Sequence, residues 1–209
     1  MLDIYIVRHG QTQWNVEKRL QGWLDSPLTL EGERSALLLR EEIGAIEFDQ
    51  VFSSPSGRAI TTLSIAMPEV LYVIDDRLKE ICLGSWQGKT IETIEKEFPE
   101  AYYNYFFEPE NFRLEGGEDY SDLHKRVSAF VDEVIERFYN KKVNKKVLIV
   151  THGLTLMMMQ LIFNRDVIAN IGTYALSQNA KPVHYHYDGE KFDAIIEVSA
   201  QEGYFSKRF

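Results

Sequence analysis

Two stretches far apart in the chain are built alike, and they limit the fold more than anything else in it. Ile4-Tyr5-Ile6-Val7 runs straight into Arg8-His9-Gly10, and Val147-Leu148-Ile149-Val150 runs through Thr151 into His152-Gly153. An unbroken apolar run, without alternation, is what a strand needs when helices cover both faces of a parallel sheet. Two such strands ending on the same dipeptide can present two imidazoles side by side. The first strand is therefore expected near the centre of a sheet, with a polar loop from Gln11 to Pro27 leaving its carboxyl end.

The remaining chain divides into strand, turn and helix units. Thr29 is placed as an N-cap, with Glu31 and Glu33 in a first turn that favours negative charge, and Ala36, Leu37, Leu38, Leu39 and Ile43 give that helix its apolar side up to Gly44. Residues 49 to 54 form a short strand. Pro55-Ser56-Gly57-Arg58 then turns into a helix reaching about Met67, so Arg58 lies near a helix N-terminus, where free backbone N–H groups favour anions. A third strand is expected over 70–74 and a helix from Thr90 that stops before Pro99. Residues 100 to 117, aromatic from Tyr102 to Phe112 and closed by Gly116-Gly117, are expected to be the least regular part of the chain. They would form a lid or insertion at about 99–118, its rings serving as subsidiary core rather than as a base-stacking platform.

Leu123, Val127, Phe130, Val131, Val134, Ile135 and Phe138 mark a long amphipathic helix capped by Asp119 or Ser121. The helix from Leu154 to Phe163 is apolar all round and must be buried. Val183–Tyr187 and Phe192–Val198 flank Asp188-Gly189, a two-residue hairpin signal. Together these imply a single α/β domain over residues 1–209: a three-layer α/β/α sandwich, with a mostly parallel central sheet and an antiparallel C-terminal edge hairpin.

Composition removes several function classes. With 209 residues, 44% hydrophobic and 26% charged, the chain suits one globular domain, and its net charge of −9 argues against a nucleic-acid surface. No apolar stretch approaches the roughly 20 residues that span a bilayer, and the first strand begins too early to leave room for a secretory leader. No membrane partner and a cytoplasmic location are expected. Cys82 is the single cysteine and is read as structural. The sequence assigns no oligomeric state.

In open parallel sheets, ligands gather beyond the carboxyl ends of the strands. Arg8, His9, Arg58 and His152 all follow such ends, and two arginines at one mouth call for an anion; the planar guanidinium fork suits phosphate oxygens. His124, His184 and His186 are read as structural, the last two sharing a strand face. A metal site from His9, His152 and Glu80 is disfavoured, because no close ligand motif surrounds them and the arginines repel a cation.

At this point the residues resemble the histidine phosphatase superfamily, the phosphoglycerate-mutase-like proteins, over most of the chain. Arg8-His9-Gly10 with Thr12 and Asn15 is similar to the family's Arg-His-Gly signature, and Leu28-Thr29 with Gly32 and Ala36 to the helix after it. Ser53-Ser54-Pro55 with Arg58, Ala59 and Thr62 is similar to the second arginine motif, and Glu80 with Gly84, Trp86 and Gly88 to the segment carrying the acid. Gly117-Glu118 with Arg126 and the late His152-Gly153 complete the series. Departures are Leu154 and Met157, where family members often carry a small residue and an arginine.

The resemblance implies a metal-independent phosphomonoester hydrolase that forms a phosphohistidine. His9 attacks phosphorus; Arg8, Arg58 and His152 bind its oxygens, with Asn15, Gln21, Gly22 and Gly153 completing the phosphate site. Glu80 protonates the leaving alkoxide and then activates water. No cofactor is implied. The partner is a small phosphorylated metabolite, with inorganic phosphate as product. A cofactor-dependent phosphoglycerate mutase is the alternative; it needs extra cations, and Gly84–Gly117 offers only Lys89, Lys96 and Arg113. A non-catalytic phospholigand-binding module ranks behind both, since His9 and Glu80 are present.

Overall fold

The computed structural model describes residues 1–196. Six strands, β1 (Leu2–Arg8), β2 (Gln50–Ser53), β3 (Val73–Ile74), β4 (Lys145–Thr151), β5 (Pro182–Tyr187) and β6 (Phe192–Ile196), form one sheet in the order β3-β2-β4-β1-β5-β6. The pairs β3/β2, β2/β4 and β4/β1 are parallel, whereas β5 joins β1 antiparallel and β6 follows as the second arm of a hairpin. The expected α/β sandwich with a mostly parallel sheet and an antiparallel edge is thus the fold observed.

Side-chain alternation in β1 and β4 explains why their sequences look uniformly apolar. Ile4, Ile6, Val147 and Ile149 point to one face, where helices α6 (Tyr120–Phe138) and α7 (Gly153–Phe163) cover them. Val7, Leu148 and Val150 point to the other, against α2 (Leu30–Ile43) and α3 (Gly57–Ala66). Each such side chain, withdrawn fully from water, contributes roughly 1.5–3 kcal/mol, so neither face tolerates a polar residue. Thr29 caps α2 through Gly32 N–H, and Asp119 caps α6 in a reciprocal capping box.

Four sequence expectations are corrected. The polar loop after β1 contains a short helix, α1 (Gln13–Val16), which Thr12 and Asn15 close as a capping box. Residues 100 to 111 are not irregular: α4 (Ile91–Glu97) is followed by α5 (Pro99–Phe107) and a 3-10 turn at Pro109–Asn111, and 112–117 lack regular structure. Pro99 ends α4 and also starts α5, since a proline in the first turn lacks only an N–H that would have no partner there. The aromatic rings serve as core in part, Tyr103 being half exposed. Tyr105 and Phe112 are buried, with centroids 5.9 and 5.5 Å from Trp86.

The third strand shrinks to Val73–Ile74, which pair with Phe52 and Ser53 of β2. The hairpin loop has four residues instead of two: Tyr187 pairs with Phe192, and Asp188 Oδ1 accepts from the N–H groups of Glu190 and Lys191. An Asp side chain closing its own turn overrode the Asp-Gly signal. Val198, expected in the last strand, lies outside the described residues.

His184 and His186 share a face, as expected, and that face has a use. Both address Asp3 of β1, His186 Nδ1 donating to Oδ1 at 2.8 Å and His184 Nε2 lying 3.1 Å from it. Burial pushes the Asp3 carboxyl up, but hydrogen bonds from His186, Asn144 and His184 outweigh it and hold the group below the usual range. This cluster ties the hairpin to β1 at the end of the sheet remote from the histidine pair.

Candidate active site

Strand register is what brings the two histidines together. Arg8 pairs with Thr151, so His9 and His152 are the next residues of neighbouring parallel strands, and His9 N–H donates to Thr151 O at 3.0 Å. The chain leaves β1 toward α2 on one face and β4 toward α7 on the other. A crevice opens between adjacent strands whose connections part in this way. The imidazole centroids lie 5.3 Å apart, and both rings are buried.

Glycine permits this approach. A Cβ on Gly10 would sit 2.8 Å from Gly32 O, and one on Gly32 would meet Gln11 O. The first turn of α2 therefore packs directly on the backbone behind His9. Gly10 serves this contact between chain segments. Gly10 N–H donates to Thr62 Oγ1 and Asn179 Nδ2 to His9 O, which fixes the loop from both sides.

Side-chain chemistry follows from these restraints. His9 Nδ1 is 2.7 Å from Gly10 O, and a carbonyl can only accept, so the ring hydrogen is on Nδ1 and Nε2 keeps its lone pair. Burial, reinforced by Arg58 and Arg8, pushes the His9 pKa well below the ordinary imidazole value. His152 is lowered for the same reasons, burial first and then Arg58 and His9. Its Nε2 meets Ser54 Oγ at 2.7 Å, and its Nδ1 has no partner among the described residues.

Arg58 is 2% exposed and held by the loop that follows β1. Nη1 donates to Leu24 O and Asp25 Oδ1, and Nη2 to Gly22 O, at 2.7–2.9 Å. Its Nε has no partner among the described residues, and a guanidinium fork of this kind suits two oxygens of one ligand. Arg8 Nη1 donates to Ser177 O.

Glu80 reaches the same place from an irregular segment and is met by the N-terminus of α7. Its carboxylate accepts from Leu154 N–H at 3.0 Å and from Thr155 N–H at 3.2 Å, with Thr155 Oγ1 at 3.3 Å. Arg126 clamps the approach by donating to the carbonyls of Arg77, Lys79 and Glu80 while paired with Glu118.

A cleft with about 530 Å³ of empty space, its open mouth included, is lined by Arg8, His9, Asn15, Gln21, Gly22, Arg58, Glu80 and Gly153. Eight of the nine residues expected at the site thus border one cavity. His152 does not border it; it is buried beside His9. Two expected roles change in detail. Gly22, at φ +54°, offers its carbonyl to Arg58, and Gln21 spends an amide hydrogen on Thr12 Oγ1. Asn15 Oδ1 is taken up by Thr12, which leaves its Nδ2 for a ligand.

Sequence reasoning missed Asp25, Asn179 and Thr155 as supports, and Arg19, Leu20, Leu83 and Leu176 as lining. Only Thr155, a hydroxyl one turn into an apolar helix, carried a signal. Among the described residues no group of three or more His, Cys, Asp or Glu side chains is arranged to hold a metal, and no helix is long and apolar enough to cross a membrane.

Two buried neutral histidines have a thermodynamic consequence. The unfolded chain binds protons there near pH 6.5 and the folded chain does so only at lower pH, so their contribution to stability is present above about pH 6.5 and lost as pH falls toward the folded values. The melting temperature in phosphate-free buffer is expected to drop between pH 6.5 and 5, and His152→Asn should flatten that slope. An unchanged slope in the variant would show that these rings do not bind protons on unfolding.

Comparison with known proteins agrees with this geometry. A family model described as "Histidine phosphatase superfamily (branch 1)" matches residues 4–196. Phosphoserine phosphatase 1 of Hydrogenobacter thermophilus is 36% identical over 145 residues, covering 68% of this chain and 69% of that protein. A probable phosphoglycerate mutase, GpmB, of Salmonella choleraesuis is 33% identical over 158 residues, covering 75% and 72%. Among solved structures, YhfR of Bacillus stearothermophilus superposes with a TM-score of 0.87 at 32% identity, covering 96% of this chain and 98% of that one.

Proposed function

Because the chain belongs to the histidine phosphatase superfamily, we propose that it is a metal-independent phosphomonoester hydrolase working through a phosphohistidine at His9. The observation that carries this reading is the His9 ring itself: Nδ1–H is committed to Gly10 O, and Nε2 is left as a neutral nucleophile in a cavity that also holds Glu80 and two arginines.

In the first step Nε2 attacks phosphorus, the P–N bond forms as the P–O ester bond breaks, and the leaving alkoxide takes a proton from Glu80. Water then attacks phosphorus, giving its proton to Glu80 as the P–N bond breaks. The sum is ester plus water giving alcohol plus inorganic phosphate. Arg8 and Arg58 bind the non-bridging oxygens, with Asn15, Gln21, Gly22 and Gly153 completing the phosphate site, while His152, outside the lining, packs beside the His9 ring. Preorganised donors of this kind act on charge that moves during phosphoryl transfer, which is where they lower a barrier.

The mutase alternative has the named Salmonella relative on its side. It asks for cations that hold a second anion, and outside the phosphate end the cavity offers Arg19, already paired with Glu17. Hydrolysis is favoured on that ground. Phosphate release from p-nitrophenyl phosphate, blocked by vanadate, is the expected result. Interconversion of 3- and 2-phosphoglycerate with catalytic bisphosphoglycerate and no phosphate release would establish the mutase instead, and tight phosphate binding without turnover would support a binding module.

A further inference from the structure

Beside its charged and polar groups, the cleft is lined by Leu20, Leu83, Tyr105, Leu154, Met157 and Leu176. Leu20 lies in the loop after β1, Leu83 three residues beyond Glu80, Tyr105 comes from α5, and Leu154 and Met157 come from α7. Leu154 also donates its N–H to the Glu80 carboxylate, and both residues line the cleft.

Charge points the same way. Arg8 and Arg58 belong to the phosphate end. The remaining lining cation is Arg19, whose Nε is 2.6 Å from Glu17 Oε2 and whose Nη1 donates to Gly88 O. A leaving group bearing its own carboxylate would have to set it against leucine, methionine and a tyrosine ring, and a buried anion without a partner is strongly disfavoured. An apolar leaving group releases water from the same surface and gains from it.

We infer, resting on the hydrolase reading above, that the substrate is a phosphate monoester of an apolar, uncharged alcohol, recognised by this wall, and not an ester whose alcohol carries a carboxylate. Leu83, Leu154 and Met157 then set specificity without touching the phosphate. The likeness to a phosphoserine phosphatase would extend to the phosphoryl chemistry and stop at the leaving group.

The test compares primary alkyl esters at one pH: benzyl phosphate, glycerol 3-phosphate, O-phosphoserine and 3-phosphoglycerate, scored by kcat/KM for phosphate release. Benzyl phosphate is expected to exceed both carboxylate esters at least tenfold and glycerol 3-phosphate by a smaller factor. Equal or better turnover of O-phosphoserine or 3-phosphoglycerate overturns the inference and leaves the hydrolase reading standing, whereas release from none of the four overturns both. Leu83→Ala supplies a second readout that does not depend on how much of the variant folds, because active-site concentration cancels in a ratio. The preference for benzyl phosphate over glycerol 3-phosphate should shrink at least threefold, and an unchanged ratio would remove Leu83 from the wall.

Discussion

Replacing His9 by alanine is expected to lower kcat by about four to six orders of magnitude, the loss seen when a covalent nucleophile is removed and only binding and charge stabilisation are left. The proposed route has no substitute for it. His152 is the nearest imidazole, but its Nε2 is engaged with Ser54 Oγ and it stands outside the cleft lining. Nor should the variant unfold. His9 holds its loop largely through backbone atoms, with N–H to Thr151 O and the carbonyl to Asn179, and alanine keeps both. Quenched-flow labelling with a radioactive phosphate ester should trap an acid-labile, base-stable phosphoenzyme in the native protein and none in the variant, with a melting curve confirming the fold. Turnover within tenfold of native, or persistent labelling, would move the nucleophile elsewhere.

How much of this was legible beforehand depends on the range of the interaction concerned. The apolar runs at 4–7 and 147–150 predicted central parallel strands because burial on both faces leaves a direct mark on composition, and the caps at Thr29 and Asp119 are local by nature. Arg8, His9, Arg58 and His152 could be grouped because each follows a strand, and parallel strands deliver their ends to one side. By contrast, α5 was hidden because a proline signals a stop and a start alike, and only packing of Tyr105 against Trp86 selects the second. Asp25, which grips Arg58 from 33 positions away, and Asn179, which holds His9 O across 170, leave no local pattern. Supports of that kind are set by tertiary closure, and a single sequence gives them no spacing to follow.

Glu80→Gln should separate the two halves of the proposed reaction. The amide matches the carboxylate in size and keeps one oxygen to accept from α7, but it can neither give a proton to an alkoxide nor take one from water. With an alkyl ester, whose leaving group needs the proton, kcat is expected to fall by about 10²–10⁴. With p-nitrophenyl phosphate, whose leaving group departs as a stable phenolate, the first step should survive while hydrolysis of the phosphohistidine slows. The result expected is a burst approaching one nitrophenolate per site, followed by a slow steady state. Across a series of aryl esters the rate of the first step should depend more steeply on leaving-group basicity than in the native protein, a change that a purely structural role for Glu80 would not produce. Glu80 is tied to Leu154 and Thr155 at the start of α7, so a uniform loss on every ester, with no burst and a lowered melting temperature, would mark it as a support for that helix. The proton would then have to come from another group at the cleft.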